Sequence, residues 1–156
     1  MNITRFLPIP LVALGLVAAG ASAHDNDHGH GFKLTGKVVA PPTNIDLGTP
    51  GDSAGDQKII TMDVFAQTKR IGESHVVCTM VRVDPATKAS ITQCDNVTSL
   101  PGGQLVATGV VTSAQEEQSP FIQAITGGTG AYRNAHGQLT VSEAGPQPAT
   151  LTFELS

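Results

Sequence analysis

The sequence predicts an all-β domain built as an eight-stranded antiparallel β-barrel, and three observations carry that prediction. Apolar and β-branched residues alternate with polar ones in eight short runs, and no stretch has a convincing 3.6-residue period. Turn chemistry separates the runs at hairpin lengths. The third observation is the scarcity of large side chains: 5 Phe, 1 Tyr and no Trp in 156 residues. Eight antiparallel strands must cover their edges, by closing on themselves or by stacking as two sheets. A sandwich core of this size generally recruits larger side chains. An eight-stranded barrel has a bore that ordinary side chains nearly fill, or that admits one small ligand. Closure is therefore expected.

In chain order the strands are expected at Phe32 to Ala40, Ile59 to Ala66, Ser74 to Val83, Ser90 to Val97, Gln104 to Thr112, Phe121 to Thr126, Gly137 to Ser142 and Ala149 to Leu155. Pro41-Pro42 stops the first, and a Gly/Asp/Pro-rich loop runs on to Asp56. Asp84-Pro85, Pro101-Gly102-Gly103, Glu116 to Pro120, Gly127 to Gly130 and Gly145-Pro146 mark the later turns. Thr61, Asp63, Thr79, Thr108 and Thr140 fit a solvated face alternating with a buried one.

Residues 1–23 read as a secretory signal. Arg5 supplies the positive end, Leu7 to Ala19 the apolar segment, and Ala21-Ser22-Ala23 a small-residue cleavage site. The apolar segment is too short, and too broken by Pro8 and Pro10, to span a bilayer of about 30 Å. The organisation expected is a signal peptide (1–23), a His/Asp-rich tail (24–31) and a β-barrel domain (32–156), with the mature chain secreted or periplasmic and without stable membrane insertion. A formal charge of -4 and the absence of any Lys/Arg cluster argue against a nucleic-acid partner.

Cys78 and Cys94 lie on consecutive strands whose turn centres on residue 86, so counting eight residues each way sets them opposite each other. Cross-strand Cα atoms lie about 4.5 to 5.5 Å apart, within the reach of a disulfide. An oxidising compartment would close that bridge and remove the cysteine nucleophile; a reactive thiol is the alternative. His24-Asp25-Asn26-Asp27-His28-Gly29-His30 gathers three imidazoles, a set that suits transition metals and equally a mobile polar tail. The tail is the preferred reading, and no metal site is assigned. Asp46, Asp52 and Asp56 lack the alternation of a calcium loop. Asp63 interrupts an apolar strand. Pointing inward it would need a cation such as Arg82 or Arg133 and would serve as general acid or base; pointing outward it is the polar member of the alternation. The outward reading is favoured, because Thr61 and Asp63 share one face against Ile60, Met62 and Val64. No nucleophile elbow, metal-spaced cysteine pair or phosphate loop is present.

Ile125-Thr126-Gly127-Gly128-Thr129-Gly130-Ala131-Tyr132-Arg133-Asn134-Ala135-His136-Gly137 resembles the G-G-T-G-x-F/Y-x-x-A-x-G signature of the dirigent and allene oxide cyclase barrel superfamily. Gly72 to Cys78, Cys94, Leu100-Pro101-Gly102-Gly103-Gln104 and Gly109 extend the resemblance toward exported bacterial members. It covers about residues 32 to 155. Gly127, Gly128, Thr129, Gly130, Tyr132 and Gly137 are its motif residues, and the glycines read as turn formers with positive φ.

The resemblance implies a barrel with an apolar cavity that holds an apolar small molecule and steers its cyclisation or coupling, with no cofactor. Any enzymatic activity would then be of the isomerase or cyclase kind, acting by orientation of the reactant and exclusion of water. A non-catalytic small-ligand carrier or interaction module is the other reading, and a metal-binding tail on a barrel platform is a third. Asp63, Arg133 and His136 are the candidate catalytic residues. Many plant members carry Arg at the position of His136, and plant relatives are commonly dimers or trimers, which makes a homo-oligomer an expectation by resemblance.

Overall fold

The computed structural model describes residues 30–113, 120–142 and 148–156. The expected signal peptide, residues 1–23, and residues 24–29 of the expected His/Asp-rich tail lie outside the described residues. Antiparallel strands form one continuous sheet: β1 (His30–Val38), β2 (Thr43–Ile45), β3 (Gln57–Ala66), β4 (Lys69–Val83), β5 (Ser90–Leu100), β6 (Gly103–Thr112), β7 (Phe121–Gly128), β8 (Gly137–Ser142) and β9 (Ala149–Leu155). A 3-10 turn, Gly130–Tyr132, precedes β8. The sheet order is β1-β9-β8-β7-β6-β5-β4-β3-β2, and β1 also pairs with β3, which closes an eight-stranded barrel. The eight strands expected from alternation are all present. β2 was not anticipated. It is a three-residue strand on the outer end of β3, where the chain resumes pairing after Pro41-Pro42.

Closure depends on β1 serving two partners. Its first part pairs β9, from His30↔Leu155 to Gly36↔Ala149, and its end pairs β3, from Thr35↔Phe65 to Val38↔Met62. Every strand of the cylinder is thus flanked on both sides, and the exposed edge that a flat sheet would carry is gone. Irregularities at Val64/Phe65, Met80/Arg82 and Val106/Ala107 help the long strands bend around the bore.

The inward residues follow one parity on each strand. Met62 and Val64, Val76 and Cys78, Leu105 and Ala107, Leu139 and Val141, and Leu151 and Phe153 are buried. Thr61, Asp63, Thr79, Thr108 and Thr140 occupy the opposite phase and are only partly buried. Phe32 stacks on Phe153 with ring centroids 4.9 Å apart. Val64, Leu139 and Leu151 are 0% exposed, so this part of the bore is filled by side chains rather than open.

One end of the cylinder is sealed by the glycine motif. Ala131 N–H donates to Gly102 O, Thr129 N–H donates to Gln104 O, and Thr129 Oγ1 accepts from Gln104 N–H. The two hairpins approach so closely that a Cβ on Gly103 (φ +151°) would lie 2.0 Å from Thr129 O. A Cβ on Gly128 would lie 2.3 Å from Gln104 O. Tyr132 and Ala135 pack against the core beneath this interlock. The motif is therefore architectural here: its glycines permit the backbone contact that caps the barrel.

Candidate functional site

The opposite end, where β3 and β5 begin and β4 and β6 finish, holds a cleft of about 500 Å³. Ile45, Cys78, Met80, Ser90 and Thr92 contribute to its lining, together with Asn44, Lys58 and Ser113 and with the aspartates of the 46–56 loop. The register explains the set. Lys58 pairs with Cys78, Asn44 with Lys58, and Thr92 with Met80, so these side chains share the inner face of the sheet near the mouth.

The disulfide forms part of that lining. Cys78 and Cys94 are paired in register and bonded, with Cα atoms 4.0 Å apart, and both are buried. Counting outward from residue 86 predicted this pairing; beside the turn the register runs one residue off that count, with Val83 opposite Ser90, and the irregularity at Met80/Arg82 shifts it so that Cys78 meets Cys94.

β5 carries a polar stripe into the bore. Ser90, Thr92, Asn96 and Thr98 all face inward and are buried, in phase with Cys94. Ser74 Oγ and Thr98 Oγ1 donate to Asn96 Oδ1 at 2.9 and 3.0 Å. Gln123, 1% exposed on β7, donates from Nε2 to Cys94 O at 3.0 Å. Its Oε1 has no hydrogen-bond partner. The side chain passes Gly109, where a Cβ would stand 3.1 Å from Gln123 Cγ, so the glycine makes room for it. An unpaired buried acceptor is costly and therefore uncommon in a settled core.

The 46–56 loop is held by its own carboxylates. Asp56 accepts from the N–H groups of Leu47 and Ser53, each at 2.8 Å, and Asp46 accepts from Gly51 N–H at 3.1 Å. The Leu47 and Ser53 amides hold the Asp56 carboxyl below its ordinary value of 3.8. Asp84 fixes the β4–β5 turn in the same way, its carboxyl lowered by the N–H groups of Thr87 and Ala86.

The residues singled out from the sequence stand elsewhere. Asp63 lies on the outer face of β3, paired with Arg70 at 2.6 Å; Arg70 also binds Glu73. Asp63 first, and Glu73 second, hold Arg70 above its ordinary value. Asp63 is thus the polar member of its alternation. Arg133 and His136 are exposed between the 3-10 turn and β8 at the sealed end, where His136 Nδ1 lies 2.8 Å from Asn134 O. β1 and β9 stand between β3 and β8, so the structure does not bring the three together. Sequence reasoning missed Lys58, Ser90, Thr92 and Gln123. The available signal was parity: once Cys78 and Cys94 point inward, every second residue of β5 must do so too.

Among solved structures, a pyocyanin demethylase matches with 30% identity and a TM-score of 0.69 over 81% of this chain and 100% of that one. An exo-specific intermolecular Diels-Alderase matches at 12% identity and TM-score 0.60, covering 81% of this chain and 98% of that one. A pterocarpan synthase dirigent protein matches at 16% identity and TM-score 0.54, over 81% and 85%. The last two likenesses show the fold. No curated protein sequence matches the chain. The family described as "Allene oxide cyclase barrel like domain" matches residues 37–152, which run from β1 into β9; the chain belongs to the allene oxide cyclase-like barrel family.

Proposed function

We propose that this barrel receives an apolar small molecule through its open end and steers that molecule's cyclisation or coupling by fixing its conformation. The carrying observation is the cleft of about 500 Å³ floored by inward side chains. That volume suits one small ligand. The demethylase neighbour supports a small-molecule guest, since its name gives pyocyanin as what it demethylates. The mouth is edged by polar groups and the bore beyond is filled, so a ligand sits at the entrance, with its apolar body against Ile45 and Met80. Orientation at such a wall, with water kept from one face, is the available source of rate.

A non-catalytic carrier is the second reading. The dispersal of Asp63, Arg133 and His136 favours it, because no acid and base drawn from that set meet. Alanine variants of the three test the catalytic assignment: full turnover and unchanged product stereochemistry in each would end it. Export with cleavage after Ala23 belongs to the same proposal and is supported by the disulfide, which suits an oxidising compartment. So does self-association, supported by Val110 and Ile122, each 57% exposed on the outer wall.

The experiment is mass spectrometry of small molecules extracted from protein purified from its native medium, alongside Thr92→Phe, which fills the mouth. An apolar compound retained by the native chain and lost from Thr92→Phe is expected. No compound, or equal retention by both, would overturn the reading.

A further inference from the structure

We infer that the mouth cleft selects ligands bearing an anionic head, a carboxylate or phenolate, and that Lys58 is the residue that recognises it. The inference rests on the cleft being the ligand entrance, as proposed above, and adds the chemical class of the guest.

Three observations carry it. Lys58 is directly opposite Cys78 in the β3–β4 register and lines the cleft with it, an exposed cation at the mouth. Among the described residues the ion pairs are those of Arg70 with Asp63 and Glu73 and of His75 with Glu73, and Lys58 is in none of them. Ser90 and Thr92, which line the same cleft from β5, are buried hydroxyl residues whose side chains make no hydrogen bond within the described structure. A cation outside any ion pair, sharing a cleft with hydroxyls that are able to donate, is an arrangement for an oxyanion.

Asp46, Asp52 and Asp56 keep their negative charge in the same cleft, and none of the three lies within ion-pair distance of Lys58. Asp46 and Asp56 accept from backbone N–H groups of their own loop. Asp52 is exposed and lies beyond ion-pair distance of Lys58, and Lys88 adds a second cation at the rim. Ile45, Met80 and the disulfide then contact the apolar body. The guest is an amphiphile: greasy body inward, charge at the mouth.

The test titrates the full chain with 1-naphthoate and with its neutral isostere 1-naphthamide, following probe fluorescence. The native chain should bind 1-naphthoate about tenfold more tightly at low salt, with the preference shrinking as salt rises. Lys58→Met should erase the preference and Lys58→Arg should keep it. Lys69→Met, at the sealed end, should leave it intact. Thr92→Val should weaken 1-naphthoate more than 1-naphthamide. Equal binding of the two probes by the native chain, or a preference that survives Lys58→Met, would overturn anion recognition while leaving the cleft a ligand site. If neither probe binds the native chain, the ligand-entrance reading falls and this inference falls with it.

Discussion

Removing the bridge between Cys78 and Cys94 gives the sharpest test of how the open end is held. The two residues are separated by 16 positions, and the bond closes a loop comprising the ends of β4 and β5 and the turn between them. In the chain-entropy treatment a loop of that size restricts the unfolded chain by about 3 kcal/mol. For a domain of about 125 residues, unfolding entropy makes that a fall of roughly 11 °C in Tm. The double variant Cys78→Ala/Cys94→Ala avoids leaving a free thiol, and both positions are buried, so the loss of sulfur contacts adds to the effect. Urea unfolding followed by far-UV circular dichroism measures it, with native and variant chains compared at equal pH. The midpoint should fall while the slope with denaturant rises, because the uncrosslinked unfolded chain exposes more surface. A loss below about 1 kcal/mol would refute the loop-closure reasoning, meaning that the hairpin is already restrained in the unfolded ensemble.

Two further outcomes are expected. Gln123→Glu places a carboxylate beside Cys94 O and removes the amide donor, and should cost about 2 to 3 kcal/mol at neutral pH. Burial raises that carboxyl's pKa in the folded state, so the protonated form, which restores a donor, regains stability as pH falls; thermal melts at pH 7 and pH 5 that coincide would contradict it. For Asp56 the sign is opposite. Its folded-state value is lowered, so its contribution is present above the ordinary 3.8 and is lost as pH falls through the lowered value. The Leu47 and Ser53 amide resonances should therefore titrate below pH 3.8, and titration at or above it would show that the hydrogen bonds do not form in solution.

Much of the fold was legible because alternation and turn chemistry agree along this chain. On β3, Ile60, Met62 and Val64 against Thr61 and Asp63 gave the inward face unaided. The cysteine spacing gave the β4–β5 register beyond the irregularity at Met80/Arg82, while beside the turn the pairing is one residue off that count. β2 escaped notice because three residues, Thr43–Ile45, are too few to display a period; only their partner strand defines them. The site was less legible for a physical reason. On β5 the inward residues Ser90, Thr92, Asn96 and Thr98 are polar, and the outward Gln93 and Asp95 are polar as well, so hydropathy alone does not separate the faces. Lys58 and the partly unsatisfied Gln123 gain their meaning from residues distant in sequence, Cys78 and Cys94. The glycine motif drew attention to Arg133 and His136, whereas its own work is to cap the end away from the cleft.

The most direct measurement is mapping of amide chemical-shift changes on the ¹⁵N-labelled chain as 1-naphthoate is added. Shifts gathered at Ile45, Lys58, Cys78, Met80 and Thr92, with Gly127 to Gly137 unmoved, are expected of a cylinder whose ligand site is the cleft at the end away from the glycine motif. Shifts centred on Arg133 and His136, or none at the open end at saturating probe, would contradict it.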